Sequence, residues 1–213
     1  MYVPHFNAVD EAEARSMVAE YGAGELITTA LDGYPLGTLL PVLWEGDVVV
    51  AHFARANPHW RTIAEAAGHP ADGVPALLVC TGPQAYIRPG WYAAKAEHGK
   101  VVPTWNYSSV HLTGRARIIE DVDWLRQAVE RLTDRHEADH ENGAGRWRVS
   151  DAPADYVGGM LKAIVGVELH VERVEAKAKL SQNRSAADRR GVIAGLGGHP
   201  VAEAMRRNEA GFA

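Results

Sequence analysis

The chain is short of several things, and each shortage excludes something. It holds one cysteine, Cys80, in 213 residues, so no disulfide can form within it. No apolar run nears the roughly 18 residues that a membrane-spanning helix needs. The first residues, Met1-Tyr2-Val3-Pro4-His5-Phe6, lack the charged and long apolar regions of a secretory leader. A cytoplasmic location is therefore expected. Basic residues number 22 against 27 acidic, for a net charge of −5. Nucleic-acid binders usually carry a basic excess or a basic stripe, and the longest basic clusters here are Arg189-Arg190 and Arg206-Arg207. Charge thus gives no support to direct DNA binding. There is no G-x-G-x-x-G, no Walker pattern and no G-x-S-x-G. Cys80 ends the apolar run from Val74 and lacks charged neighbours, so a nucleophile is not expected.

What remains is the composition of a globular protein, 46% hydrophobic and 23% charged. The length and the absence of any linker favour a single domain over 1–213, ending in a helical segment over about 185–213. Asp10-Glu11-Ala12-Glu13 opens a helix, which Gly22 and Gly24 end. Glu25 to Leu31 is strand-like, Asp32-Gly33 is a hairpin signal, and Tyr34 to Trp44 continues as a strand. Glu45-Gly46-Asp47 turns the chain into a strand ending at Phe53. Three short strands in succession predict an antiparallel meander or barrel. A helix follows from Asn57-Pro58 to about Ala67. Strands are expected at Val74 to Cys80, around Gln84 to Arg88 after a Gly82-Pro83 break, at Val110 to Ile119, and from Val167 to about Leu180. Helices are expected after Asp121 and after Ser150, at Ser185 to Leu196, and from Pro200 to about Asn208.

Four stretches carry candidate chemistry. Lys95 to Tyr107, preceded by Trp91-Tyr92, sets Lys95, Lys100, Thr104, Trp105 and Asn106 close together. Cations beside flat aromatic faces suit a planar anionic ligand; a crossover loop pinning aromatics is the plainer alternative. The start of the helix after Asn57 lies beside Arg55, Arg61, His52 and His59. Helix N-termini attract anions, and a capped helix with solvated charges is the equal alternative. Lys177 to Asn183 ends a strand with Lys179 and Gln182, which suit a phosphate or ring edge; a strand end turning into a helix, with Ser181 or Asn183 as its cap, is the plainer alternative. Finally, His136-Glu137-Ala138-Asp139-His140 fits H-E-x-x-H, but a polar loop follows at once and no third ligand is spaced for it, so no metal site is expected.

Six segments taken together resemble one family. They are Ala51 to Trp60, Gly82 to Ile87, Lys95 to Tyr107, Asp151 to Tyr156, Ala163 to Gly166, and Lys179 to Asn183. The set, in this order, is similar to the PaiB-like FMN-binding transcriptional regulators, from Met1 to about Leu196. The resemblance implies an α+β fold of mostly antiparallel β: a split β-barrel of the pyridoxamine-phosphate-oxidase type with peripheral helices. It also implies a homodimer with FMN between subunits. The flavin phosphate would sit near Arg55, Asn57, His59 and Trp60. The ring would be lined by the Tyr34 to Pro41 strand, including Thr38 and Leu39, and by Thr104, Trp105 and Asn106, with His52, Lys100, Lys179 and Gln182 close by. The implied role is flavin-dependent regulation or redox chemistry. Three positions depart from the usual family wording: Leu39 before Leu40-Pro41, Gln84, and Ala178. They enlarge the expected pocket and raise an alternative, a haem- or flavin-dependent biosynthetic oxidoreductase similar to piperazate synthases and using the same dimer-interface pocket, with His52, His59 or His111 as axial ligands if the group is haem b.

Overall fold

The computed structural model describes residues 1–69, 72–138 and 145–210. Seven strands form one sheet in the order β2-β1-β5-β6-β7-β4-β3. In chain order they are β1 (Ala23–Thr29), β2 (Pro35–Pro41), β3 (Leu43–Glu45), β4 (Val48–Ala54), β5 (Val74–Ile87), β6 (Thr104–Ile119) and β7 (Ile164–Lys179). The helices are α1 (Glu11–Tyr21), α2 (His59–Ala66), α3 (Ala94–His98), α4 (Val122–Glu137), α5 (Ala154–Lys162), α6 (Ala186–Leu196) and α7 (Pro200–Ala210).

Helix starts follow local chemistry. Asp10 Oδ1 accepts the Glu13 amide at 2.8 Å, Asp121 Oδ1 accepts the Trp124 amide at 2.7 Å, and Ser185 Oγ accepts the Asp188 amide at 3.1 Å. Each satisfies a donor that the first helical turn leaves open.

Two strand expectations need correction. Tyr34 to Trp44 is not one strand. It splits at Val42 into β2, which pairs with β1 from Ala23↔Pro41 to Thr29↔Pro35, and β3, which pairs with β4. The successive strands are therefore not a simple meander. Gly82-Pro83 also fails to break β5, which runs on for 14 residues. The β1 ladder on β5 reaches only Val79, so beyond it Pro83 owes no N–H to β1.

The split at Val42 explains the closure of the sheet. β2 and β3 stand at opposite ends of the strand order, yet one residue joins them. The sheet must curl until its two edges meet, as in a barrel. This is the split barrel that the resemblance implies.

The chain groups into two compact units. One comprises residues 15–80 and 111–174 and contains the closing strands. Its interior is filled by Leu26, Leu40, Val42, Val49, Ala51, Leu78, Val167 and Leu169, all buried. They leave about 10 Å³ between them, room for one water at most, so the barrel is a packed core. Outside it, Leu125 of α4 packs with Val149 and with Val157 and Leu161 of α5.

The other unit comprises residues 1–14, 81–110 and 175–213. Its core joins Ala85 and Ile87 of β5, Tyr92, Ala178 and Leu180, Val192 of α6, and Val201 and Met205 of α7. Buried Asp188 accepts the Ala94 amide at the start of α3 at 3.0 Å. Among the described residues no helix is long and apolar enough to cross a membrane.

Candidate functional site

In the barrel unit the chemistry gathers where β4 gives way to α2. His59, 1% exposed, is the hub. Its Nε2 lies 2.9 Å from Thr28 Oγ1 of β1, and its Nδ1 lies 2.8 Å from Thr38 Oγ1 of β2. Asn57 Nδ2 donates to Thr38 Oγ1 at 3.3 Å, and Asn57 Oδ1 accepts the His59 amide at 3.0 Å. Burial lowers the His59 pKa, so the ring is neutral at pH 7, with one N–H and one lone pair to share between two hydroxyls. The hairpin is thereby locked to the start of α2. Thr28 had no signal in the sequence, because its partner lies 31 residues away.

Arg55 is tied to the protein itself. Its Nε donates to the Lys162 carbonyl at 2.9 Å, one terminal nitrogen to Glu120 at 2.7 Å, and the other to the Ile164 carbonyl at 3.2 Å. Trp60 Nε1 donates to the Arg55 carbonyl at 2.9 Å. Arg61, on the first turn of α2, differs. Its guanidinium stands 4.8 Å over the Trp60 ring and has no hydrogen-bond or ion-pair partner among the described residues. Leu39 points outward from β2, 66% exposed.

Three histidines were expected as alternative metal ligands. His59 has both nitrogens engaged. His52 lies on β4 opposite Gly166, and burial lowers its pKa. Its Nδ1 is buried and has no hydrogen-bond partner among the described residues. His111 is half-buried on β6. His140 of the H-E-x-x-H match lies outside the described residues. Among the described residues no cluster of three or more His, Cys, Asp or Glu side chains suits a metal ion.

In the second unit, Lys179 Nζ donates to Thr104 Oγ1 at 2.7 Å. Trp105 Nε1 donates to Gln84 Oε1 at 3.0 Å, and its ring lies 6.4 Å from that of Tyr86. Both rings stay about half exposed, making an aromatic patch; Thr104, next to Trp105 in the strand, faces the other side of the sheet with its bond to Lys179. Asn106, by contrast, is fully buried, and its Nδ2 donates to Ser181 Oγ at 3.0 Å. Ser181 has φ +64°, an uncommon conformation for a residue with a side chain, and Asn106 holds it there. Gln182 folds back: Oε1 accepts the Leu180 amide at 2.7 Å and Nε2 donates to the Ala178 carbonyl at 2.5 Å. The Lys100 amide donates to His98 Nδ1 at 3.0 Å, just beyond α3.

The chain is 33% identical over 198 residues to the Bacillus subtilis "Protease synthase and sporulation protein PAI 2", covering 91% of this chain and 87% of that protein. Among solved structures, the conserved hypothetical protein Rv2991 of Mycobacterium tuberculosis is similar with TM-score 0.59 at 14% identity, over 86% of this chain and 92% of that one. A FAD- and haem-binding protein of Mycobacterium smegmatis gives TM-score 0.58 at 17% identity, over 91% of this chain and 81% of that one. At such identities these two speak for the fold alone. The model of the family described as "Putative FMN-binding domain" matches residues 1–173, spanning the locked hairpin, α2 and the closing strands, and the chain belongs to that FMN-binding family.

Proposed function

We propose that the protein is a homodimeric, FMN-binding split-barrel protein of the PaiB-like type, acting as a flavin-dependent regulator or redox protein. The observation that carries this reading is the lock at the start of α2 with Arg61 unpaired beside it. Thr28, Thr38, Asn57 and His59 fix the backbone there. A rigid helix start with a cation in its first turn fits a phosphate dianion. The fit favours Arg61, with Asn57 and Thr38 at the same helix start, over Arg55, whose three guanidinium nitrogens are each already held by one acceptor. Bound FMN supplies hydride or single-electron chemistry; the chain's own part is to orient the ring and neutralise the phosphate.

The homodimer rests on the hairpin. Leu31, Tyr34 and Leu39 are 68%, 72% and 66% exposed, on or beside a strand at one end of the sheet order. Large exposed apolar side chains grouped on one hairpin mark an association surface. Net charge −5 favours regulation without direct DNA contact.

FMN and riboflavin titrations, followed by flavin fluorescence, test the reading. Arg61→Gln should weaken FMN binding about tenfold or more, as losing a charge-assisted contact does, and leave riboflavin binding unchanged. A purified protein that binds neither flavin refutes the proposal. A Soret band after expression with haem supplied would instead favour the haem alternative, for which His52 keeps an unpartnered nitrogen.

A further inference from the structure

A second polar site lies in the barrel unit, about midway along β7 and away from Arg55. Asp72, Gly73, Arg115, Arg117 and His170 line a recess of about 150 Å³. Arg55 reaches the carbonyl of Ile164. His170 is six residues further along the strand, roughly 20 Å at about 3.3 Å per residue, so the recess is separate from the start of α2.

Both guanidiniums are held from behind. Arg115 Nε donates to the Asp72 carbonyl at 2.6 Å, and Nη2 to the Gly73 carbonyl at 2.8 Å. These carbonyls can come so close because position 73 is glycine. Its φ is +61°, and a Cβ there would lie 2.8 Å from the Ala116 carbonyl oxygen. Arg117 Nε donates to Glu168 Oε2 at 2.8 Å, and Nη2 bonds the same oxygen. Glu168 is itself fixed: Trp124 Nε1 donates to Oε1 at 2.9 Å, and His170 Nε2 lies 3.2 Å from Oε2. Its carboxylate is therefore spent on the wall, not offered to the recess. Among the described residues, Nη1 of Arg115, Nη1 of Arg117 and Nδ1 of His170 have no partner. Asp72 is the one carboxylate in the lining besides this wall.

We propose that this recess binds the oxyanion head, phosphate or carboxylate, of a small ligand, held by Arg115, Arg117 and His170. The logic is pre-organisation. Each arginine spends two donors on acceptors that fix its plane, so little side-chain entropy remains to be lost when the third is used. Planar forks of this kind match oxyanions.

Calorimetric titration of the full chain with inorganic phosphate and, separately, with succinate tests the inference. At least one should bind once per chain with Kd below about 1 mM. Phosphate alone binding assigns a phosphate group, and succinate alone a carboxylate. Arg115→Gln and His170→Gln should each weaken that binding about tenfold or more, while Arg190→Gln, on exposed α6 surface, should not change it. Thermal midpoints without anion report whether each variant folds; if Arg115→Gln does not, His170→Gln decides. Absence of binding by both anions overturns the proposal, and so does affinity unchanged in the folded recess variants.

Discussion

Replacing His59 by phenylalanine separates the hub's hydrogen bonds from its bulk. The ring volume and its contact with Phe53, 5.3 Å between centroids, are largely kept. Two hydrogen bonds of 2.9 and 2.8 Å are lost. Thr28, 4% exposed, is left with a buried hydroxyl, a cost of about 1–3 kcal/mol, and the lost bond to Thr38 adds about 1 kcal/mol. The total is roughly 3 kcal/mol, which at about 2–4 °C per kcal/mol for a chain of this size lowers Tm by about 9 °C. Acidity supplies an independent check. Burial lowers the His59 pKa, so below about pH 6.5 the unfolded chain binds a proton that the folded ring resists. The histidine's contribution is present above pH 6.5 and is lost as pH falls below it, by at most about 1.4 kcal/mol per pH unit. Urea melts of both proteins from pH 7.5 to 5 should therefore show the gap narrowing on acidification. An unchanged midpoint at pH 7.5, or a gap that widens toward pH 5, would refute the assignment of His59 as a neutral, doubly bonded hub.

Other outcomes follow from single positions. Gly114→Ala places a methyl group against the His170 carbonyl oxygen; the β6 backbone must move, and a loss of about 3 kcal/mol should appear in thermal melts. Cys80 is fully buried, and burial pushes its thiol pKa up to about 12. Ellman's reagent at pH 8 should label it only in denaturant, and rapid labelling of native protein would contradict the packing. Leu39→Glu puts a charge on the exposed hairpin; light scattering should show a homodimer weakened or split to monomers, with the barrel's circular dichroism intact, whereas an unaffected dimer moves the interface elsewhere.

Much of the local structure could be read from residue order alone. Asp10, Asp121 and Ser185 open helices because a side-chain oxygen three residues before an amide satisfies it wherever the rest of the chain lies. Asp32-Gly33 makes its hairpin for similar reasons: the Ala30 amide closes on the Tyr34 carbonyl at 2.7 Å. The family wording was likewise legible, since it is carried by short words in sequence. The expectation of an anion site at the β4–α2 junction has the same local origin, as Asn57 and Pro58 announce a helix start.

Tertiary structure decided what depends on distant partners. Nothing near Val42 signals that the strands on either side part to opposite ends of the sheet; closure of the barrel requires it. Nothing near Arg55 or Arg61 says which is bound and which is free. Glu120 and the carbonyls of Lys162 and Ile164, about a hundred residues on for the latter two, take the first and leave the second. Caps and turns are satisfied within four residues, so the sequence determines them. Strand pairing and the pairing of charges draw on groups scattered along the whole chain, and those are chosen only when the barrel closes.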